Sequence, residues 1–369
     1  MINQTQCNLK GTQKLFFIQL NQAASCCRSN PEPLPADMSD LLEHWQQEHD
    51  QLAQGIAIQN CSVCWKQQAQ GHTSWRQQHR HASTNTIELW LNNSCNQMCS
   101  YCSPKFSSTW QQNIIDHGPF ENISSTAKSN LDMPPIAIDQ QQWIEKIGEY
   151  LQSQPPESVD LKLLGGEPLM QIRNLQKLID LSGDSINQLM INTNLNPPNN
   201  RFLHWLLDTV PAHKLKFDIS LDASPKYNHV PRAGFDPERF NINLQLLIEK
   251  NINFGFLSVM SVLSIFDLPE FTKWSQPYQV VFNKINNPDC LDPIWLPTEI
   301  LNQINNQFEQ EPPTIFQELY NKPQSLVDLK LFEQYNYLCQ YFSRTGINIK
   351  QIDNLLFQQY WTWLEERQK

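Results

Sequence analysis

From residue 86 onward the chain alternates short β-like runs with helical segments, and this alternation limits its fold more than any single motif does. The apolar runs are Thr86–Leu91, Val159–Leu164, Gln188–Thr193, Leu215–Leu221, Asn253–Val262 and Val280–Ile285. Helical periodicity fills the gaps at Gln141–Ser153, Ile172–Leu181, Asn200–Thr209, Pro237–Glu249 and Leu268–Trp274. Such alternation implies an α/β fold with a parallel sheet and crossover helices. Six units suit an open, partial (β/α)6 barrel better than a closed eightfold one. In barrels of this kind the site lies at the C-terminal ends of the strands.

The residues just past those runs carry chemistry. Cys95, Cys99 and Cys102 follow the first run on one short loop. Three thiolates there can hold three irons of a [4Fe–4S] cluster. The fourth iron then has no protein ligand and can activate a small molecule; S-adenosylmethionine (SAM) with an Fe–S cluster is a route to radical chemistry. A zinc knuckle would want four ligands at its own spacing, and three unrelated core thiols are the remaining reading. The second run ends in Gly165, Gly166, Glu167 and Pro168. A glycine pair lets backbone approach a ligand closely, and Glu167 could accept hydrogen bonds from an ammonium; the plain alternative is a strand-to-helix turn. Asn192 and Asn194 end the third run, Ser220 and Asp222 the fourth.

Two regions flank this one, giving boundaries at 1–85, 86–295 and 296–369. The first holds a strand around Leu15–Leu20, the pair Cys26 and Cys27, a proline-rich link from Pro31 to Pro35, and a helix from Asp40 to Ala53 capped by Ser39 or Asp40. Cys61, Cys64 and Trp65 follow it. The last region reads as helical, with amphipathic runs at Ser325–Phe342 and Asp353–Glu366 expected to cover the open edge or bottom of the partial barrel. Trp361 and Trp363 there read as packing residues.

The net charge of −10 argues against a broad nucleic-acid-binding surface. Ten cysteines in 369 residues are too few for a disulfide scaffold, and their grouping into a triplet and two close pairs points to metal or cluster binding in a reducing compartment. The segment from Leu15 to Cys26 imitates an export signal, but Gln19, Asn21 and Gln22 interrupt its apolar run. No stretch reaches the roughly 18 apolar residues of a membrane span. The expectation is a cytoplasmic protein with neither nucleic acid nor membrane as partner.

The Cys-x3-Cys-x2-Cys spacing of Cys95, Cys99 and Cys102, the Gly165-Gly166-Glu167-Pro168 turn and the strand order together resemble the radical SAM superfamily, over roughly residues 86–290. The resemblance implies that the three cysteines bind the SAM-associated [4Fe–4S] cluster. It places Tyr101 near the SAM adenine, Gly165, Gly166 and Glu167 at its amino group, and Asn194, Ser220 and Asp222 at the ribose. Arg232 resembles the arginine that pairs with the SAM carboxylate, a task suited to a guanidinium fork; a surface loop arginine is the alternative. The implied reaction is reductive cleavage of SAM, with an electron from a flavodoxin or ferredoxin, followed by hydrogen abstraction by a 5′-deoxyadenosyl radical.

The N-terminal pattern of Cys26, Cys27, Cys61, Cys64, Trp65, Gly71, Ser74 and Arg76 is similar to that of twitch-type radical SAM proteins. That likeness implies a small auxiliary-cluster domain, with Cys27, Cys61 and Cys64 holding an auxiliary [4Fe–4S] cluster and Cys26 or Cys7 as fourth ligand. A structural zinc, or cysteines without metal, stay open. Gln67 and Gln68 stand where acidic residues are expected. Twitch- and SPASM-type members commonly modify ribosomally made precursor peptides. Within them the chain resembles the spliceases, which excise tyramine from a peptide backbone and leave an α-keto-β-amino amide. A separate small leader-recognition partner is then implied. Epimerisation, thioether or crosslink formation, and modification of a small molecule or nucleobase are the alternatives. In an epimerase-like reading the Cys290 thiol could donate a hydrogen atom; otherwise it is a small buried apolar residue. A non-catalytic Fe–S electron carrier would leave Gly165, Gly166, Glu167 and Arg232 without a role.

Overall fold

A computed structural model of the chain describes residues 7–78, 84–124, 140–321 and 327–368. Its strands are β1 (Gln13–Phe17), β2 (Gln22–Ala24), β3 (Glu32–Pro33), β4 (Asn85–Trp90), β5 (Met98–Cys99), β6 (Val159–Leu164), β7 (Ile186–Thr193), β8 (Leu215–Ser220), β9 (Arg232–Ala233), β10 (Asn253–Met260) and β11 (Val280–Lys284). The chain divides into two compact units. One comprises Met1–Asn93, Pro134–Ile191 and Asp208–Lys216; the other comprises Ser94–Met133, Asn192–Leu207 and Phe217–Lys369.

In the first unit β1, β4, β6 and β7 run parallel to one another, each paired with the next. Alternation explains the seating of β6: Val159, Leu161 and Leu163 are fully buried, and Asp160, Lys162 and Leu164 take the other face. Burying each of those three side chains contributes about 1.5–3 kcal/mol. The sequence boundary at residue 85 lies within this unit, because β1 pairs with β4 from Gln13–Thr86 to Phe17–Trp90. The first strand ends at Phe17 rather than Leu20; a short turn follows, and Asn21 takes a left-handed conformation (φ 52°) that reverses the chain into antiparallel β2. The helix Met38–Ala53 starts two residues before the expected Asp40, because Asp37 is its cap and accepts a hydrogen bond from the Ser39 backbone. Helices Gln140–Gln152 and Ile172–Ser182 approach closely at Gly148, where a Cβ would meet Leu181 at 2.7 Å.

In the second unit β10 and β11 are parallel, and Leu221, just past β8, donates to the Leu257 carbonyl of β10 at 3.0 Å. A two-residue antiparallel ladder joins β5 and β9. Helices Thr298–Asn305, Val327–Thr345 and Leu355–Glu366 lie C-terminal to the strands. The expected helix start at Ser325 lies outside the described residues. Tyr337 and Tyr341 of Val327–Thr345 are buried, stacked on Phe120 (4.8 Å between centroids) and tilted against Trp110 (6.4 Å) respectively. Both units therefore combine parallel strands and helices with a smaller antiparallel element. Among the described residues no helix is long and apolar enough to cross a membrane.

Candidate functional site

The cysteine loop of the second unit is held by its backbone. Buried carbonyls need partners, and five of the eight carbonyls in this loop have a named side-chain donor. Ser107 Oγ donates to the Gln97 carbonyl (2.8 Å), Tyr341 OH to Met98 (3.2 Å), Trp110 Nε1 to Cys99 (2.9 Å) and Tyr337 OH to Ser100 (2.6 Å). Cys95 is bracketed by two further hydroxyls: its N–H donates to Ser108 Oγ (3.1 Å) and its carbonyl accepts from Thr109 Oγ1 (2.6 Å). The Cys102 amide donates to the Cys99 carbonyl (3.0 Å), closing a turn between those thiols. The β5–β9 ladder sets Cys99 opposite Arg232. Its close approach depends on Gly234 (φ 91°), where a Cβ would lie 2.7 Å from the Asn96 carbonyl oxygen.

Arg232 and Asp222 form the electrostatic centre of this unit. They are 6% and 1% exposed, respectively. Arg232 Nε donates to Asp222 Oδ2 (2.8 Å) and Nη2 to Oδ1 (3.1 Å), a two-point fork. The same guanidinium donates from Nη1 to Cys99 Sγ (3.5 Å) and from Nη2 to Tyr101 OH, while Tyr101 OH donates to Asp222 Oδ2 (2.8 Å). Asp222 is fixed in turn by the Val259 amide of β10 (2.8 Å), and its own N–H donates to Asn228 Oδ1 (2.9 Å). Burial alone would pull the Arg232 pKa down; Asp222, with Tyr101 and Cys99, reverses that and holds it well above its ordinary value. Burial pushes the Cys99 thiol up, with Arg232 opposing it. Burial, with Cys99 adding to it, pushes Cys102 to about 12.

Asparagines complete the polar lining. Asn194 Nδ2 donates to Asn96 Oδ1 (3.2 Å), Asn96 Nδ2 to the Asn196 carbonyl (2.8 Å), and Ser220 Oγ to Asn192 Oδ1 (3.2 Å). Sequence reasoning missed Asn96, Asn196, Asn228, Trp110, Tyr337 and Tyr341. Only the position of Asn96 inside the cysteine loop could have flagged any of them. Cys290 is fully buried, with its carbonyl accepting from Gln334 Nε2 (2.6 Å) and its thiol raised to about 12 by burial and Glu333.

The first unit holds the remaining candidates. Gly166 N–H donates to the Asn92 carbonyl (3.1 Å), and a Cβ on Gly165 (φ 121°) would meet the same oxygen at 3.0 Å. Glu167, completely buried, accepts from the Leu169 amide (3.0 Å) and so caps the short turn Pro168–Met170. Separately, Cys7, Cys26, Cys61 and Cys64 line one small pocket with Lys10, Arg28, Trp75 and Arg76. All four thiols are buried, whereas Cys27 is exposed and lies outside that lining. Burial raises Cys7 and pushes Cys61 to about 12, and each of the two is raised further by Cys26 and Cys64. Gln68 occupies one of the positions where an acid was expected. Its carbonyl oxygen accepts from Arg76 Nη2 (2.7 Å), its amide nitrogen donates to Ser74 Oγ (2.6 Å), and Arg76 stacks over Trp65 (4.3 Å).

Among the described residues no three His, Cys, Asp or Glu side chains converge as a metal ion's ligand set. Besides its thiols the cysteine loop presents Gln97 Nε2 and Ser100 Oγ, both buried without a hydrogen-bond partner among the described residues. Such donors suit cluster sulfides, whose hydrogen bonds tune its potential.

No family model and no curated protein matches the sequence. Solved structures do align with it. Native anSMEcpe with bound AdoMet aligns at 14% identity and TM-score 0.37, over 71% of this chain and 61% of that one. Native anSMEcpe with bound AdoMet and the Kp18Cys peptide aligns at 14% and 0.39, over 70% and 61%. Streptococcus suis SuiB bound to S-adenosylmethionine aligns at 14% and 0.38, over 83% and 58%. The chain thus spans about three fifths of the length of these structures.

Proposed function

We propose that this chain is a radical SAM enzyme that modifies a peptide. The carrying observation is the Cys95–Cys102 loop, which sets three thiols on one short segment anchored through its carbonyls, beside two buried donors, Gln97 Nε2 and Ser100 Oγ, that have no partner among the described residues. In this reading Cys95, Cys99 and Cys102 hold a [4Fe–4S] cluster at the strand ends of a partial barrel. With SAM, that cluster supplies reductive sulfonium cleavage and a 5′-deoxyadenosyl radical when bound.

The chain's own part is positioning. Arg232, fixed by Asp222, sets a permanent positive charge against Cys99 Sγ and favours its thiolate. Tyr101 presents a ring within this network, and Asn194 and Ser220 offer amide and hydroxyl groups in the same unit. In the first unit Gly165, Gly166 and Glu167 form a strand-end turn able to receive an ammonium. Cys7, Cys26, Cys61 and Cys64 are the ligand set of an auxiliary cluster in this reading, and Cys27 is not part of it.

The substrate is a ribosomally made precursor peptide, presented by a separate leader-binding partner, with electrons from a flavodoxin or ferredoxin. The favoured edit is excision of tyramine to leave an α-keto-β-amino amide. Anaerobic reconstitution of the full chain, followed by dithionite and SAM, tests the core of the proposal. Iron loading with formation of 5′-deoxyadenosine supports it; loaded iron without SAM cleavage refutes it and leaves an electron carrier. Co-expression with a precursor bearing a Tyr-Gly pair then tests the edit, by loss of a tyramine mass.

A further inference from the structure

A cavity of about 720 Å³ opens in the second unit. Ser224, Lys226, Tyr227 and His229 come from the loop after β8; Asp267, Glu270 and Trp274 from the start and body of helix Leu268–Trp274; Asp353 and Asn354 precede the last helix. The volume falls within the usual range for small-ligand sites. None of these groups has a part in the proposed radical chemistry.

Its charges are unevenly spent. Lys226 is paired with Asp353 at 2.5 Å, and His229 Nδ1 is engaged with the Lys226 carbonyl at 3.1 Å. Glu270 is exposed and has no hydrogen bond or ion pair among the described residues. Asp267 is 8% exposed and accepts from Ser224, whose amide donates to Oδ2 (2.7 Å). An independent sign of a missing partner is Tyr227. This side chain lines the cavity and is 5% exposed, and its buried hydroxyl has no hydrogen-bond partner among the described residues. A buried hydroxyl without a partner is costly and marks a place where a polar ligand belongs. Phe266, Pro225 and Trp274 supply apolar surface between these groups.

We infer that this cavity binds an organic cation, an ammonium or guanidinium on an apolar stem, held by Asp267 and Glu270, with Tyr227 OH as a further acceptor and Trp274 against the stem. The cation is either a lysine or arginine side chain of a peptide or a free alkyl amine. The site stands independently of the radical SAM reading. Burial, with Glu270 adding to it, raises Asp267 to about 6, so affinity falls as pH drops through that value. Lys226 opposes this rise, and the other titratable groups around the cavity are Tyr227, His229 and Asp353.

Calorimetric titration of the full chain tests this, with acetyl-Leu-Lys-Leu-amide, its norleucine counterpart and n-pentylamine as probes. A saturable signal for either cation, absent for the norleucine peptide and weakened about tenfold by Asp267→Asn and by Glu270→Gln, is the expected result. Binding of the lysine peptide alone assigns a peptide source; binding of the amine as well assigns a general cation site. Absence of a saturable signal from both cations overturns the inference, as does binding that the norleucine peptide or the Glu270→Gln variant reproduces unchanged. Glu270 is exposed, so its variant stays decisive if Asp267→Asn disturbs folding.

Discussion

Arg232 and Cys99 face each other across a two-residue ladder, and the guanidinium that donates to the Cys99 sulfur at 3.5 Å is itself clamped by Asp222. A buried cation beside a thiol is expensive unless a carboxylate compensates it. The Arg232–Asp222 fork is thus a structural requirement of the cysteine loop, whatever ligand the loop takes.

Removing one partner leaves the other buried and uncompensated. Arg232→Met and Asp222→Leu are each expected to lose about 3–5 kcal/mol in urea denaturation. The double variant should lose clearly less than the two losses added, because no lone charge survives. Single losses under about 1 kcal/mol would mean that the pair is solvated, contrary to its burial.

Gly234 makes a sharper test of the ladder. Gly234→Ala places a methyl 2.7 Å from the Asn96 carbonyl at a φ of 91°. Backbone strain of about 1–3 kcal/mol is expected, and the β5–β9 pairing should loosen. Faster amide exchange at Ser100, which donates to the Pro231 carbonyl at 2.8 Å, is the local readout. Unchanged exchange there would show that the ladder tolerates the methyl.

The cysteines separate two roles under the proposed function. Cys99→Ala should abolish SAM cleavage by dithionite-reduced protein. Cys61→Ala and Cys7→Ala should spare that cleavage, lower the iron content by about one [4Fe–4S] complement and impair product formation. Cys27→Ser should leave iron unchanged, since Cys27 lies outside the pocket that the other four thiols line. Full product formation by Cys61→Ala would end the auxiliary-cluster reading.

The parts of this fold that could be read beforehand are those encoded by local periodicity. Val159–Leu164 and Pro237–Glu249 have the expected bounds because each carries an apolar face, interrupted in the helix by Asn243. The cysteine triplet was visible as a motif, and Asp222 and Arg232 as candidates. Their union was not visible. A two-residue ladder has no periodicity, and the Arg232–Cys99 contact spans 133 residues of sequence. The sequence reading puts Cys27 ahead of Cys26, but neighbouring side chains leave the backbone in different directions, and in the fold Cys26 lines the pocket while Cys27 is exposed. Lone Cys7 carried no spacing signal beyond its proximity. Tyr337 and Tyr341 read only as an amphipathic stripe, because the carbonyls they serve lie more than two hundred positions away.

Asp267 links the cavity to stability. Its carboxyl is raised from 3.8 to about 6, by burial first and by Glu270, against the Ser224 hydrogen bonds and Lys226. Between those values the folded protein holds a proton that the unfolded chain releases, so stability falls as pH rises from about 4 to about 6. The rise of roughly two units corresponds to about 3 kcal/mol lost from this residue above pH 6. Asp267→Asn keeps an acceptor for the Ser224 amide and carries no charge to desolvate. The variant should therefore be more stable than the native chain at pH 7, by up to about 3 kcal/mol, and equal to it near pH 4. Thermal or urea unfolding across pH 4–7 reads this directly. A native profile as flat as that of Asp267→Asn would show that the carboxylate is already compensated in the free protein. An organic cation would then gain nothing from it, and the cavity's claim to such a ligand would rest on Glu270 and Tyr227 alone.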